Sequence, residues 1–204
     1  STFFTNINNL KDENENLKKR NSELEQSLRE LENIKTENNT LKEYLNLTEK
    51  YGEYKTVPGY VINKDISNYS KTVVINIGKN DGVEENMTVI ADQGLVGHVI
   101  SVTDNTAKVQ TIIDTASAVS CTMSTKDTIV CKGTLDNNTT LKAMYIPTQA
   151  NVIQGDTIET SGLGGIYPKG IHVGTVQKVE NTQNITDRYA LVETAVDFDK
   201  LDTV

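Results

Sequence analysis

Residues 7–31, INNLKDENENLKKRNSELEQSLREL, carry a seven-residue repeat of apolar side chains. The apolar residues form one narrow stripe, and polar residues fill almost all of the remaining positions. So narrow a stripe predicts a coiled-coil seam, because a single amphipathic helix packed on a core needs a wider apolar face. The predicted dimerisation positions are Ile7, Asn14, Asn21 and Leu28 at a, with Leu10, Leu17, Leu24 and Leu31 at d.

The asparagines in the seam indicate how two such helices pair. Asn14 and Asn21 cost stability at a positions, but their amides can bond each other across a parallel, two-stranded seam. The flanking charges agree, since a parallel pair brings Glu13 of one helix opposite Lys18 of the other. The sequence therefore predicts a parallel dimer. The alternative is a solvated helix that lies against its own globular part.

The repeat changes phase after Leu31. Ile34 follows three residues later, where the heptad expects four, and the stripe continues through Leu41 and Leu45. A slip of this kind overwinds a supercoil locally and weakens its packing. We therefore predict a coiled-coil helix over residues 1–51, with pairing that loosens toward its C-terminal end.

The composition changes from about residue 56 onward. Prolines appear, glycines become frequent, and short β-branched runs alternate with turn residues, which is typical of a mainly β fold. Residues 83–89 resemble residues 152–158, and a glycine-rich hairpin follows each of them, so two related halves are expected. The predicted architecture is an N-terminal coiled-coil helix followed by two small β-barrel-like domains, residues 56–110 and 111–204. The last strand returns to one half or the other.

The bulk composition excludes several classes of function. With 28 acidic and 20 basic residues, the net charge of -8 argues against nucleic-acid binding through phosphates. The chain contains no apolar run of about 18 residues that could cross a membrane. Its two histidines and two cysteines have no metal-site spacing, and we expect neither metal nor cofactor. Cys121 and Cys131 flank a predicted turn, where they either form a disulfide or serve as core residues.

The glycine-rich segment 155–176, GDTIETSGLGGIYPKGIHVGTV, contains the residue types of a hydrolase site. The candidates are Ser161 as nucleophile, His98 or His172 as base, and Asp156 or Asp114 as the orienting carboxylate. However, both histidines alternate with apolar residues in strand patterns, and the serine lacks a Gly-x-Ser-x-Gly setting. Glycines that supply positive φ angles to a hairpin explain the segment better. We expect a protein that is not an enzyme, with a protease-like β-barrel hydrolase as the alternative.

The same segment offers a candidate partner-binding loop. Leu163, Ile166 and Tyr167 cluster between glycines, which predicts an exposed apolar group suited to docking. The alternative is that these side chains cover one end of a barrel.

Several short runs follow the helix in a distinctive order. They are VINIG at 74–78, DGV at 81–83, GLVG at 94–97, GD at 155–156, TSGLGG at 160–165, YP at 167–168, GI at 170–171 and VG at 173–174. Together with the preceding coiled coil, this order resembles the MreC family of bacterial rod-shape determination. The resemblance covers nearly the whole chain.

The resemblance implies a single-pass protein of the cell membrane. A short cytoplasmic tail and one membrane helix would precede this chain, which would be the extracytoplasmic part. The implied function is a non-catalytic scaffold of the cell-elongation machinery that presents its β domains to cell-wall synthesis proteins and so maintains cell shape. Homodimers or higher self-assemblies are expected, and the implied partners are penicillin-binding transpeptidases, MreD and the MreB filament.

Overall fold

The computed structural model describes residues 2–67, 69–135 and 137–204. The fold is mainly β with an N-terminal helix, which confirms the predicted fold class. The chain divides into two compact units between Leu45 and Asn46.

The helix α1 spans Thr2–Lys50, 49 residues without interruption. It contains neither proline nor glycine, so nothing in its sequence breaks the backbone hydrogen bonds between successive turns. The phase slip at Ile34 leaves the helix itself continuous. Its predicted d positions are largely exposed in the single chain, with Leu10 at 63%, Leu17 at 56%, Leu24 at 57% and Leu31 at 62%.

Eleven strands follow the helix in the described residues. They are β1 Val61–Ile66, β2 Lys71–Ile75, β3 Thr88–Ala91, β4 Gly94–Val102, β5 Ala107–Thr111, β6 Ala118–Met123, β7 Thr128–Gly133, β8 Thr140–Met144, β9 Thr157–Thr160, β10 His172–Glu180 and β11 Tyr189–Thr194. Two short 3₁₀ turns, Lys79–Asp81 and Ile185–Asp187, interrupt the connections.

The first five strands form one antiparallel sheet in the order β1-β2-β5-β4-β3. The end of the chain returns to this sheet, because Tyr60 pairs with Thr203. The backbone groups of Gly59 and Val204 also exchange two hydrogen bonds, of 2.9 and 3.0 Å. The C-terminal residues therefore extend the sheet beside β1.

The remaining six strands close into an antiparallel barrel in the order β10-β11-β8-β7-β6-β9, and β9 pairs again with β10. Alternate residues are buried along most of the barrel strands, as a closed barrel requires, and bulges interrupt the alternation on β10. On β6 these inward residues are Val119, Cys121 and Met123. Cys121 and Cys131 lie on adjacent strands as free thiols and are fully buried.

Candidate functional site at the junction of sheet and barrel

The loop between β9 and β10, residues 161–171, reaches from the barrel toward the five-stranded sheet. Thr160 fixes the base of this loop, because its hydroxyl donates to Pro168 O at 2.5 Å and accepts from Ile171 N at 2.8 Å. Gly162 and Gly170 have φ angles of +81° and +90°, which side chains rarely adopt. The glycines therefore supply the backbone angles of the turn, and Thr160 bonds to its C-terminal end.

The loop presents its three apolar side chains in two different ways. Leu163 is 61% exposed and Ile166 is 38% exposed. Tyr167 is only 8% exposed, because its ring packs edge-on against His98 of β4 with centroids 5.8 Å apart. Its hydroxyl also hydrogen-bonds His98 Nδ1 at 2.8 Å. Tyr167 thus joins the barrel to the sheet, and the exposed part of the predicted partner loop consists of Leu163 and Ile166.

A close backbone approach accompanies the Tyr167 contact. A Cβ atom on Gly94, at the start of β4, would lie 2.3 Å from the carbonyl oxygen of His172 on β10. Real Cβ atoms do not approach backbone so closely, so only glycine fits here without a shift of one strand. Thr88 adds a hydrogen bond from its hydroxyl to Ile166 O, at 3.3 Å.

Lys71 provides a second connection between sheet and barrel. Its side chain is 2% exposed, and its ammonium group donates to Thr134 O at 2.7 Å and to Asn137 O at 3.2 Å. Its backbone N–H donates to the carboxylate of Asp114 at 2.8 Å, and its carbonyl accepts from Thr111 at 2.6 Å. Lys71, the first residue of β2, is therefore bound through its backbone to residues that precede β6. Its side chain is bound to residues that follow β7.

Of the candidate triad residues, Ser161, His98, Asp114 and Asp156 each have a structural hydrogen-bond partner, and His172 is the first residue of β10. Ser161 donates its hydroxyl proton to Ser120 Oγ at 2.7 Å and accepts from Leu163 N at 3.1 Å. The other oxygen of the Asp114 carboxylate accepts from Ala116 N at 2.8 Å, and Asp156 accepts from Ile153 N at 3.0 Å. The polar atoms of a nucleophile–base–carboxylate relay are thus used to fix turns and to join strands.

The buried thiol of Cys131 is not activated as a nucleophile in this setting. The hydrogen bond with Cys121, followed by burial, raises the pKa of Cys131. Burial, followed by the nearby Cys121, raises the pKa of Tyr167. Groups with raised pKa values stay protonated at neutral pH, and a protonated thiol is a poor nucleophile. Throughout residues 2–67, 69–135 and 137–204, no three metal-ligating side chains come together.

The junction predicts a dependence of stability on pH. Burial lowers the pKa of His98, so the unfolded chain, with an imidazole pKa of about 6.5, binds more protons than the folded chain as the pH falls. The contribution of neutral His98 to the free energy of unfolding is therefore complete above the imidazole pKa of the unfolded chain. It is lost as the pH falls from that value toward the lower pKa of the folded chain. We expect the melting temperature to fall on acidification from about pH 7.5 to about pH 5.5. The fall should be smaller in His98→Gln, whose amide can still bond Tyr167 without titrating; an equal fall would contradict this assignment.

The predicted dimerisation positions share one stripe on α1, as the heptad requires. Ile7 is half-buried, and the leucines of the stripe are more than half exposed. No helix in the described part of the chain is long and apolar enough to span a bilayer. The pairing of two seams remains a prediction.

The sequence analysis did not identify Lys71 or Gly94 as residues that connect the five-stranded sheet to the barrel. Each contacts a residue far along the chain, and no local pattern around either residue marks such a contact. His98 and Tyr167 were both noticed, but only the structure brings them together.

The comparisons with known proteins agree with this architecture. A family model for rod shape-determining protein MreC, barrel core, matches residues 61–204. The cell shape-determining protein MreC of Listeria monocytogenes is 33% identical over 159 residues, which cover 76% of this chain and 52% of that protein. The MreC of Bacillus subtilis is 31% identical over 215 residues, covering 98% of this chain and 74% of that protein. The chain thus spans about half of the Listeria relative's length.

Solved structures show the same likeness. One MreC structure superposes with a TM-score of 0.77 at 25% identity, covering 83% of this chain and 96% of that one. A complex between penicillin-binding protein PBP2 and MreC from Helicobacter pylori matches with a TM-score of 0.55 at 21% identity, covering 70% of this chain and 88% of that one. At that identity, the second likeness concerns the fold alone.

Proposed function

The chain belongs to the MreC family of rod shape-determining proteins, and from that premise we propose that it is a non-catalytic scaffold of the cell-elongation machinery. In this proposal two chains pair through their helices and present their β domains to cell-wall synthesis proteins. The proposed domains are a coiled coil in residues 1–51, a first β domain in residues 56–110 and a second β domain in residues 111–204.

The observation that carries the proposal is the exposed leucine stripe on α1. Four d-position leucines are between 56% and 63% exposed in the single chain. Full burial of one leucine side chain is favourable by about 1.5–3 kcal/mol. Burial of the whole stripe therefore provides a large driving force for association. A second copy of the same helix covers the stripe by knobs-into-holes packing. The asparagines at a positions of the two helices then hydrogen-bond each other.

The length of α1 suits a spacer. At about 1.5 Å per residue, the 49 residues of this helix extend over about 70 Å. In the family's arrangement, a membrane helix that precedes this chain anchors the protein as a single-pass component of the cell membrane, with the β domains extracytoplasmic. The coiled coil would then separate those domains from the bilayer.

Penicillin-binding transpeptidases are the proposed partners of the β domains. The support is the complex of PBP2 with MreC from Helicobacter pylori, whose MreC shares this fold. MreD and the MreB filament are proposed from the resemblance alone. Leu163 and Ile166 are the proposed contact residues on the second β domain, because they are exposed apolar side chains on a loop fixed at its base.

This partner surface can be separated from the structural role of Tyr167 by mutation. Leu163→Ser with Ile166→Ser should reduce binding of the purified cognate transpeptidase about tenfold or more, with little change in melting temperature, since mostly exposed side chains are replaced. Tyr167→Ser should instead lower the free energy of unfolding by about 3 kcal/mol, because it removes a buried ring and the bond to His98.

Biolayer interferometry would measure the binding, and thermal unfolding the stability. The matched control is Ile153→Ser with Leu135→Ser, two similarly exposed residues outside the loop. An equal loss of binding in the control, or unchanged binding in the loop variant, would remove residues 163–166 from the partner surface.

A further inference from the structure

A polar groove of about 540 Å³ lies on the outside of the barrel. It is bounded by the β6–β7 hairpin, by β9 and by the loop that follows β9, and the residues that define it here are Thr122, Lys126, Thr157, Glu159, Leu163 and Lys169. Its volume falls within the range of about 300–1,000 Å³ that is typical of ligand sites. The contact between Tyr167 and His98 does not use this surface, whereas Leu163 belongs both to the groove and to the partner surface proposed above.

The walls of the polar groove are held in place before any ligand binds. The floor is a strand pair, in which Thr122 of β6 lies opposite Glu159 of β9. The loop wall is fixed by the Ser161 hydroxyl, which bonds Ser120 and accepts from Leu163 N. The hairpin wall is closed by two backbone hydrogen bonds between Met123 and the turn residues that follow it. A preformed site loses less conformational entropy on binding than a mobile one.

Two lysines mark the ends of the polar groove. Lys126 belongs to the hairpin beyond Met123, which pairs with Ile158 near the start of β9. Lys169 lies at the other end, where a Cβ on Gly162 would be 3.0 Å from the lysine Cβ. Among residues 2–67, 69–135 and 137–204, neither ammonium group has a carboxylate within ion-pair distance. Both ammonium groups are therefore available to an anionic ligand, as are most basic side chains on the described surface.

The charges in the polar groove follow a positive–negative–positive order. Glu159 projects from the strand between the two lysines and is exposed. A strand rises about 3.3 Å per residue, so the four-residue strand β9 is about 10 Å long from its first residue to its last, and the two lysines belong to the segments at its ends. In an extended peptide, residues i, i+2 and i+4 point to one side and span about 13 Å, one residue more than β9. An acidic–basic–acidic pattern at those positions complements the groove.

The remaining lining favours a peptide over a sugar. The residues that line the groove include no aromatic side chain on which a sugar ring could stack. They do include several threonine and serine hydroxyls, which both donate and accept and so can bond peptide N–H and C=O groups. Met123 and Leu163 add a little apolar surface.

We propose that the polar groove binds an extended peptide segment of a partner protein, one that carries two acidic side chains four residues apart with a basic side chain midway between them. Lys126 and Lys169 bind the two carboxylates, and Glu159 binds the central cation. This site goes beyond the scaffold function proposed above, because it assigns a sequence pattern to a bound partner and does not require dimerisation.

The test uses the ¹⁵N-labelled chain and the peptide acetyl-Gly-Glu-Ser-Lys-Ser-Glu-Gly-amide. At millimolar concentration, the peptide should shift the amide signals of residues 122–128 and 157–169 in a saturable way. Replacing both glutamates of the peptide with glutamine should weaken binding about tenfold or more, since two charge-assisted contacts are lost. Lys126→Glu with Lys169→Glu should weaken it at least as much.

Two controls decide whether the effect is local. Lys79→Glu with Lys200→Glu makes the same change in net charge at exposed lysines outside the groove, and it should change the affinity by less than about twofold. The Leu17→Asn, Leu24→Asn variant should bind the peptide like the parent chain, so that failure of this site and failure of dimerisation remain separate results. The proposal would be overturned if the peptide caused no saturable shifts in the groove, or if the control pair weakened binding equally. It would also be overturned if the groove bound tetragalacturonate, an acidic oligosaccharide, instead of the peptide.

Discussion

Replacing Leu17 and Leu24 with asparagine is expected to convert a dimer of this chain into monomers. Both leucines occupy d positions, and each is more than half exposed in the single chain. A dimer that buries them loses four leucine contacts in the double variant, two from each chain. At about 1.5–3 kcal/mol per buried leucine, the loss is about 6–12 kcal/mol, so the dissociation constant should rise by more than about a thousandfold.

The helix should lose structure together with the dimer. An isolated helix gains little stability from propensity alone, and most of its stability in proteins comes from packing of its apolar face. Sedimentation velocity would measure the association, and far-UV circular dichroism the loss of helix. Tyrosine fluorescence should report intact β domains, because the substituted residues lie in the other compact unit.

The matched control places the same residue type on the opposite side of the helix. Ser22→Asn with Gln26→Asn falls at b and f positions of the heptad, away from the seam. This variant should sediment like the parent chain. A parent chain that remains monomeric at high concentration would contradict the dimer, and so would a seam variant that stays dimeric.

The helix and the strands could be predicted because their signals are local. The heptad is visible within 25 residues, and it located a helix that the structure shows to be continuous through the phase slip. The alternation of apolar residues on segments such as Val119–Cys121–Met123 likewise reflects a barrel wall that is visible in one strand. In such cases neighbouring residues carry all the necessary information.

The junction could not be predicted, because it depends on contacts between distant residues. The bonds from the Lys71 ammonium group reach 63 and 66 residues along the chain. Lysine is among the residues least often buried, and no residue near Lys71 in the sequence indicates that this one is inside. Tyr167 illustrates the same limit, because its flanking glycines are compatible both with an exposed loop and with a covered barrel end. Its contact with His98, 69 residues earlier, turns the ring inward.

The second large effect is expected at that junction, in Lys71→Met. Methionine fills nearly the same volume without the charge, so the variant tests the hydrogen bonds of the ammonium group and not the packing of the chain. Its removal leaves the carbonyls of Thr134, which is half-buried, and Asn137, which is exposed, without the donor that the buried lysine supplies. Hydrogen bonds from a charged donor are worth about 1.5–3 kcal/mol each, and part of that gain is offset because the buried charge no longer has to be desolvated.

The free energy of unfolding should therefore fall by about 2–4 kcal/mol, as measured by urea titration with tyrosine fluorescence. Lys64→Met is the matched control, because its ammonium group also donates to two carbonyls, Phe198 O at 3.2 Å and Asp199 O at 2.9 Å, but from a more exposed position. Water can replace those bonds, so the control should cost less than about 1 kcal/mol. Equal losses in the two variants would show that burial does not distinguish the two lysines. No loss in Lys71→Met would mean that the junction is held by Tyr167 and the close approach at Gly94, without help from the buried charge.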